Sequence, residues 1–371
     1  MITFLVTGEH DYTIGPLKRG FGVPVPEVSS LSYEEVSRQA SLPSGTYVFS
    51  DLERLSDAEL RWVSDVFRCV AAAPGSRALN DPAHVRVRYG LLRALNAAGL
   101  NRFDAHRADG VPRPRRFPVF VRRQSDHDAA LSDLLPDQDA LDTCLESLMA
   151  KGESLRGLVV IEFCAEPVRP GVFRRYGAFR VGDAVHLDHV VTQDSWNVKG
   201  GTAGLATEDM YQQDDMDIRG NRFAEEMRKV FDIAGIDYGR ADFGIVDGTP
   251  QVYEINTNPS MSLPPQHASK TRSATLQFAR ERFAELLWRI DLPSTGPRVV
   301  LDTPRLDGLR GSGNSGVAWI RELEREEVAL RVSVARLESE LAAIRESTSW
   351  RVTAPLRRVL KGWRGLRRRS D

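Results

Sequence analysis

The first 290 residues alternate between two patterns of apolar positions. Short continuous apolar runs, as in Thr46 to Ser50 and in the opening Met1 to Thr7, are typical of buried β-strands. Residues 57–70 differ, because their apolar side chains recur every three or four positions and share one face of a helix. Since the two patterns follow one another along the chain, residues 1–110 are predicted to form an N-terminal α/β lobe.

Residues 111–290 carry more hairpin signals and are predicted to form a second domain. Helices are predicted near residues 138–151 and at 219–234. The predicted strands are 117–123, 157–164, a pair within 172–191 that meets at Gly182-Asp183, and a last hairpin at 239–256. The chain as a whole is therefore predicted to belong to the α/β (α+β) class.

Beyond residue 290 the pattern changes twice. Residues 291–316 are rich in Pro, Gly, Ser and Asp and lack periodicity, which predicts a linker. Over residues 317–346 apolar positions recur at alternating steps of three and four, broken only at Glu327, which predicts a coiled coil and with it self-association. Residues 347–371 interleave apolar and basic side chains. This pattern predicts a basic amphipathic tail that contacts anionic membranes, with a solvated, disordered end as the alternative.

Composition restricts the function classes. The chain has 50 Lys and Arg against 51 Asp and Glu, and eight of those basic residues with one acid fall in residues 350–371. The rest of the chain is therefore acidic overall, which argues against a nucleic-acid binder. Three separate cysteines without a Cys-x-x-Cys pair argue against a disulfide framework or a zinc site. No apolar run approaches the roughly 18 residues of a membrane span, so we expect a soluble, cytoplasmic protein, peripheral to the inner face of the membrane where the tail binds lipid.

The densest group of candidate functional residues lies in the predicted last hairpin. Alternate residues of a strand share a face, so Arg240 and Asp242 point the same way, as do Glu254 and Asn256 on the return strand. With a three-residue loop at residues 247–249, Asp242 faces Glu254 and Arg240 faces Asn256. A two-residue loop would instead turn Glu254 to the other face.

These four side chains suit a cation and a phosphate. Two carboxylates about 5 Å apart repel each other unless a cation lies between them. Asp242, Glu254 and the amide oxygen of Asn256 form an all-oxygen set of the kind that Mg²⁺ prefers. Arg240 adds a fork of donors for phosphate oxygens. The alternative is a solvated face on an edge hairpin.

The phrase Arg240-x-Asp242, followed after the turn by Glu254-x-Asn256-x-Asn-Pro, resembles the C-terminal motif of the ATP-grasp superfamily. That superfamily includes D-alanine–D-alanine ligase, glutathione synthetase and ribosomal-protein glutamate ligases. The resemblance implies an ATP-grasp fold of two α+β lobes preceded by the α/β lobe, with ATP and Mg²⁺ between the lobes. By the same likeness Asp242, Glu254 and Asn256 are the metal ligands, and Arg240 is a catalytic residue that stabilises an acyl phosphate.

The resemblance also assigns residues upstream of the hairpin. The strand of residues 118–122 resembles the one that brings a basic residue, here Arg122, to the ATP α- and β-phosphates. Residues 159–163 resemble the hinge, where Glu162 and the backbone of Phe163 would meet the adenine amino group. Further assignments place Arg88 or Arg86, and Arg175 or Arg180, at the phosphates, and Lys199 of a predicted lid at the γ-phosphate as a second catalytic residue. For each of these residues the alternative is an ordinary structural or solvated side chain.

Together these assignments imply an ATP- and Mg²⁺-dependent ligase that joins a carboxylate to an amine through an acyl phosphate. The alternatives are an ATP-dependent small-molecule kinase on the same fold and a catalytically weak ATP-binding scaffold at the membrane surface. Residues 347–357 are similar to tails of bacterial surface-polysaccharide glycosyltransferases, which associates the chain with cell-surface glycan or peptide synthesis. None of the seven histidines is assigned a catalytic role.

Overall fold

The computed structural model describes residues 1–125, 129–260 and 267–311, together with five residues nearer the C-terminus, 330, 333, 334, 336 and 337. By its internal contacts the chain divides into a unit of Met1–Ser312 and a unit of Gly313–Asp371. The described part of the first unit is a mixed α/β protein, which confirms the predicted class.

Strands and helices alternate along most of the described chain. The strands are β1 (Ile2–Val6), β2 (Val28–Ser32), β3 (Ser41–Leu42), β4 (Thr46–Phe49), β5 (Arg77–Leu79), β6 (Ala105–Arg107), β7 (Val119–Arg123), β8 (Leu158–Glu162), β9 (Phe173–Val181), β10 (Ala184–Gln193), β11 (Tyr238–Val246), β12 (Thr249–Asn256) and β13 (Val299–Val300). The α-helices are α1 (Gly15–Lys18), α2 (Tyr33–Arg38), α3 (Asp57–Ala72), α4 (Arg88–Ala97), α5 (Gln138–Ala150), α6 (Glu208–Arg219), α7 (Ala224–Ala234), α8 (Lys270–Ile290) and α9 (Pro304–Gly311).

The N-terminal lobe is built on a parallel sheet with the strand order β2-β1-β4-β5. β1 and β4 are buried along their whole length, as expected for parallel strands that are covered on both faces. Ser56 is the N-cap of α3 and forms a capping box with Glu59. The helix then buries Val63, Val66 and Val70 against the sheet. The predicted first strand, the strand near residue 46 and this helix are all confirmed.

The predicted linker is wrong for residues 291–311. β13 pairs antiparallel with β3, and α9 follows it. Three apolar side chains of this segment are no more than 1% exposed and complete the core under α3: Val299, Leu301 and Leu306. Arg305 of α9 also donates to the carboxylate of Asp65 on α3 at 2.9 Å. The segment therefore belongs to the N-terminal lobe.

The predicted boundary at residue 110 is also misplaced. β6 lies before it but pairs with β8 in a three-stranded antiparallel sheet of order β6-β8-β7. α5 covers this sheet and buries Leu141, Leu145 and Leu148 against it. α4 also lies before residue 110, yet it packs Leu91 and Leu95 into the core of the next sheet.

That next sheet is antiparallel, has the order β10-β9-β11-β12, and carries five of the ten predicted site residues. One face, including Tyr176, Ala241 and Phe243, packs on α4 and α7. The predicted strands 172–191 and the last hairpin are confirmed. The predicted helix at 219–234 is α7, which begins only at Ala224 because Asn221 and Phe223 have φ of 50° and 69°; α6, which ends at Arg219, was not predicted. A right-handed helix does not continue through left-handed residues.

The second unit is described at five residues only, and all five are helical. Leu330, Val334 and Leu337, three positions of the predicted apolar seam, are 65%, 52% and 54% exposed. The rest of the predicted coiled coil and the whole tail at 347–371 lie outside the described residues, so both stay predictions. Among the described helices, none combines the length and apolar character that crossing a bilayer requires.

Candidate active site

The β11–β12 hairpin sets Asp242 opposite Glu254 and Arg240 opposite Asn256, as predicted. The reason for this register is different from the predicted one. The loop has two residues, not three, because Val246 pairs directly with Thr249. A two-residue loop alone would have turned Glu254 to the wrong face.

A β-bulge in β12 corrects the register. Phe243 pairs with Val252, whereas the preceding residue, Asp242, pairs with Glu254, so Tyr253 is the extra residue. Bulges re-aim side chains in this way and are frequent beside active sites. The Tyr253 hydroxyl donates to the carbonyl of Cys164 at 3.1 Å, and burial raises the pKa of Tyr253 well above its usual range. A Cβ at Gly244 would lie 2.2 Å from this hydroxyl, so only glycine fits there.

Each carboxylate of the hairpin faces arginines. Asp242 accepts from Arg175 on β9 at 2.8 Å and from Arg240 at 3.2 Å, and its side chain is only 4% exposed. The Nε of Arg175 is buried with no hydrogen-bond partner among the described residues. A buried donor without a partner is costly, so this guanidinium is suited to donate a hydrogen bond to a further anionic oxygen.

Glu254 is held by two arginines from other elements. Arg122 at the end of β7 lies 3.7 Å from its carboxylate, and Arg88 at the start of α4 bonds to it directly. Arg88 also donates to the carbonyls of Arg123 and Gln124, at 2.8 and 3.0 Å. Arg88 is thus a buried tie that joins α4, β7 and β12, and its assignment as an ATP contact is not supported by this geometry.

Asn256 ends β12 where the chain turns toward the N-terminal lobe. Its side-chain oxygen accepts from the backbone N–H of Asn258 at 2.8 Å. Asn258 is buried and in turn donates to Asp51 at 3.0 Å and accepts from the Thr13 hydroxyl at 2.6 Å. The N-terminal lobe therefore fixes the end of the hairpin, and an amide oxygen with a second lone pair stays on the face of Asp242 and Glu254.

A cavity opens over this face of the hairpin, and nine of the ten predicted site residues line it. They are Arg122, Glu162, Phe163, Arg175, Lys199, Arg240, Asp242, Glu254 and Asn256; Arg88 is the exception. Five basic side chains line the cavity against four carboxylates, an excess of one positive charge; the basic residues are Arg122, Arg174, Arg175, Lys199 and Arg240, and the acids are Glu162, Glu166, Asp242 and Glu254. This excess favours an anionic ligand.

Aromatic rings form the other wall of the cavity, and most of them were not predicted from the sequence. The ring of Trp196 lies 4.9 Å from that of Phe120 and 5.7 Å from that of Phe163, the latter pair edge-to-face. Phe103 and Tyr253 continue this wall. Trp196 lies in a polar loop, where a single tryptophan is unexpected, and this could have identified it from the sequence as a candidate ligand contact. A flat apolar slot beside a basic floor suits a ligand that has a ring at one end and negative charge at the other.

The predicted role for the Glu162 side chain is wrong. Its carboxylate accepts from the backbone N–H groups of Arg115 and Asp104, at 2.9 and 3.1 Å, and lies 3.3 Å from His106 Nε2. Burial acts to raise the pKa of Glu162, but these hydrogen bonds outweigh it and hold that pKa below the usual value. The carboxylate therefore ties the chain around β8 together and is engaged by these partners rather than by a ligand.

Lys199 lies in the loop after β10, as predicted, and lines the cavity. Gln193 at the end of β10 fixes this loop by accepting from the backbone N–H groups of Lys199 and Gly201, at 2.9 and 3.2 Å. Arg175 donates to the Lys199 carbonyl at 2.9 Å. The loop is therefore attached to the same guanidinium that contacts Asp242.

The hairpin residues fit a magnesium ion only together with a ligand. Within residues 1–125, 129–260 and 267–311, no group of three His, Cys, Asp or Glu side chains is arranged to hold a metal. Two carboxylates and one amide oxygen remain. Mg²⁺ is commonly bound by one or two carboxylates plus substrate phosphates and water rather than by a complete protein cage, so this donor set fits it.

No protein-family model matches the sequence, and no curated protein matches it. Several solved structures are similar at low identity. D-alanine–D-alanine ligase from Bacillus anthracis has 12% identity and a TM-score of 0.43, covering 78% of this chain and 96% of that one. The RimK domain protein ATP-grasp from Sphaerobacter thermophilus has 15% identity and a TM-score of 0.42, covering 78% and 100%. D-alanine–D-alanine ligase from Coxiella burnetii has 12% identity and a TM-score of 0.43, covering 78% and 96%. At this distance the likeness supports no inference about the chemistry of the cavity.

Proposed function

We propose that the chain is an ATP-grasp ligase that uses ATP and Mg²⁺ to join a carboxylate to an amine through an acyl phosphate. One observation carries this proposal. Asp242 and Glu254 are paired across adjacent strands at the floor of a cavity that has arginines around them and aromatic rings on its far wall. In this arrangement the aromatic rings suit a nucleotide base, the arginines suit a triphosphate, and the two carboxylates suit a divalent ion.

The nucleotide orientation follows from the division of the cavity. The adenine ring lies in the aromatic slot of Phe120, Phe163 and Trp196, where stacking stabilises a flat base. The phosphates extend toward Arg122, Arg175 and the Lys199 loop. In the absence of ligand, arginines neutralise Asp242 and Glu254. On this proposal Mg²⁺ would bind the two carboxylates instead, and the arginines would then donate some of their hydrogen bonds to phosphate oxygens.

The reaction then depends mainly on placing opposite charges. Mg²⁺, when bound, neutralises the triphosphate and polarises the transferred phosphoryl group. Arg240 is paired with Asp242 at 3.2 Å and is thereby fixed toward the end of the cavity where the γ-phosphate would lie. There the guanidinium stabilises charge on the phosphoryl oxygens as the substrate carboxylate attacks. The amine next attacks the acyl carbon, and phosphate leaves.

ADP release in the presence of candidate substrates tests the proposal. The full chain is incubated with ATP and Mg²⁺ against panels of amino acids, sugar acids and amines. We expect ADP formation that requires both an acid and an amine. In the Asp242→Asn and Glu254→Gln variants we expect a loss of at least about 100-fold, the size found when a transition-state electrostatic contact is removed. Asp183→Asn, at the exposed β9–β10 turn, is the matched control and should keep full activity.

The kinase alternative gives a different result in the same assay. A kinase releases ADP with a single acceptor and leaves a stable phosphorylated product, whereas an acyl phosphate is captured by hydroxylamine as a hydroxamate. ADP release without hydroxamate from any acid would contradict the ligase proposal.

Three further proposals rest on the sequence alone. The coiled coil at 317–346 mediates self-association, the tail at 347–371 contacts anionic lipid from the cytoplasmic side, and the product belongs to cell-surface glycan or peptide synthesis. Vesicle pelleting with and without residues 347–371 tests the second of these, and equal pelleting of both chains would remove it.

A further inference from the structure

A histidine–aspartate pair lies on the same sheet as the proposed magnesium ligands. In a regular strand, adjacent residues point to opposite faces and cannot bond to each other through their side chains. β10 has a bulge between Leu187 and His189, which leaves Asp188 as the extra residue. Because of this bulge, Asp188 and His189 reach the same side, and their Oδ2 and Nδ1 atoms lie 2.6 Å apart.

The imidazole is held in one row with the two acids. His189 pairs with Gly177, Gly177 pairs with Asp242, and Asp242 pairs with Glu254. Directly paired residues present their side chains on the same face. A Cβ at Gly177 would lie 2.7 Å from the Cε1 atom of His189. The imidazole therefore occupies the space left by the missing side chain, on the face of the sheet that carries Asp242.

The charges around the pair favour the ionised form of Asp188. Burial acts to raise the pKa of Asp188, but the hydrogen bond and charge of His189, with His186 and Arg240, hold that pKa below its usual value. Asp188 is therefore a carboxylate that accepts from Nδ1–H of His189. In the neutral imidazole that donates from Nδ1 to Asp188, Nε2 is the atom with the lone pair, and Nε2 has no hydrogen-bond partner among the described residues. An aspartate that orients a histidine in this way is the arrangement of a general base.

We propose that His189 is the general base that deprotonates the amine substrate, with Asp188 as its positioning residue. This inference rests on the proposed ligase function. Nε2 takes a proton from the substrate ammonium group, and the freed nitrogen lone pair forms the C–N bond at the acyl carbon. The C–O bond to phosphate breaks, its electron pair stays on phosphate, and the second nitrogen proton passes to the departing phosphate. The substrate is thus an amine that is protonated at neutral pH and lies on the β10 side of Arg240.

Two alternative nucleophiles, hydroxylamine and ammonium, distinguish loss of the general base from loss of the other functions of the site. Hydroxylamine is largely unprotonated at neutral pH and needs no base, whereas ammonium must lose a proton before it attacks. The full chain is supplied with ATP, Mg²⁺ and the acid that gives the most hydroxamate in the wild type. In His189→Gln we expect hydroxamate formation within about twofold of wild type. Amide formation from ammonium chloride should fall by at least about 100-fold, the usual contribution of a general base.

Two more variants and one control complete the test. Gly177→Ala keeps the imidazole but displaces it, and Asp188→Asn changes the tautomer that it favours; both should lose amide formation selectively. His84→Gln, at a side chain that is 77% exposed, should change neither reaction. Equal losses of hydroxamate and amide in His189→Gln, or no loss of either, would overturn the base role. If the wild type forms no hydroxamate from any acid, the ligase function fails and the base role fails with it.

Discussion

Asn80 joins the N-terminal sheet to the sheet that carries the site. It is fully buried and has a φ of 66°, in the left-handed region. Its side-chain nitrogen donates to the carbonyls of Phe49 and Tyr238, at 3.0 and 2.8 Å. Its side-chain oxygen accepts from the backbone N–H groups of Asp237 and Tyr238, at 2.8 and 2.9 Å. One amide therefore connects the end of β4 to the start of β11.

Removing this amide should lower the free energy of unfolding by about 4 kcal/mol. Asn80→Gly tolerates the positive φ, so it isolates the loss of four buried hydrogen bonds at about 1 kcal/mol each. Asn80→Ala loses the same bonds and adds left-handed strain of roughly 1 kcal/mol. Asn96→Ala is the control, because within the described part of the chain the Asn96 side chain makes a single hydrogen bond, at 3.2 Å, and the substitution should cost about 1 kcal/mol.

Urea denaturation followed by tryptophan fluorescence measures these differences. The order of stability should be wild type, Asn96→Ala, Asn80→Gly and Asn80→Ala. If Asn80→Gly cost less than about 1 kcal/mol, the net value of a typical single hydrogen bond, the amide would not join the two sheets as described.

Three shorter predictions concern the site and its surroundings. Trp196→Ala should weaken binding of a non-hydrolysable ATP analogue by at least about 10-fold, since base stacking on an aromatic ring contributes about 1–3 kcal/mol; calorimetry checks this against Trp288→Ala, whose ring is 52% exposed on α8. Arg88→Met should lower the free energy of unfolding by about 3–5 kcal/mol, because it leaves the Glu254 carboxylate without its buried partner; a main effect on nucleotide affinity with unchanged stability would contradict the structural role. Burial raises the pKa of Asp51 from 3.8 to about 7, so the folded protein holds a proton that the unfolded chain releases. Wild type should therefore lose stability relative to Asp51→Asn as the pH rises from about 4 to about 7, and a pH-independent difference in urea denaturation would refute this.

The strands and helices with strong periodicity were predictable because their own residues determine them. β1 and β4 are continuous apolar runs, which are typical of buried strands. α3 has apolar side chains on one face only, which is typical of a helix packed on a core. The segment 291–311 shows the limit of that reasoning. It lacks periodicity, and it is ordered because a few apolar side chains, among them Val299 and Leu301, complete a core formed by residues more than 200 positions earlier.

The site was predictable as a set of residues but not as a geometry. Alternation placed Asp242 with Arg240 and Glu254 with Asn256, yet the loop length on which their pairing depended was wrong. The bulge at Tyr253 restored the pairing, and nothing local in the sequence marks a bulge. The bulge at Asp188 was missed for the same reason, so His189 was not assigned a role. Two strand pairings, His189 with Gly177 and Gly177 with Asp242, connect it to the site.

Glu162 shows the converse error. A glutamate at the end of a buried strand matched the expected hinge, but its carboxylate accepts from two backbone N–H groups and lies beside His106. Those partners lie 47 to 58 positions away in the chain. The hydrogen-bond partners of a buried side chain depend on tertiary contacts, and these cannot be read from the pattern and spacing of residues.

Calorimetry of a non-hydrolysable ATP analogue, with and without Mg²⁺, measures whether the β11–β12 hairpin holds a divalent ion against a nucleotide. We expect wild type to bind the analogue and chelation of Mg²⁺ to weaken binding. We expect Asp242→Asn and Glu254→Gln to weaken binding by at least about 10-fold and to remove the response to Mg²⁺. Nucleotide affinity that is unchanged by the metal and by both substitutions, or no affinity in the wild type, would show that the hairpin is not a Mg²⁺–nucleotide site.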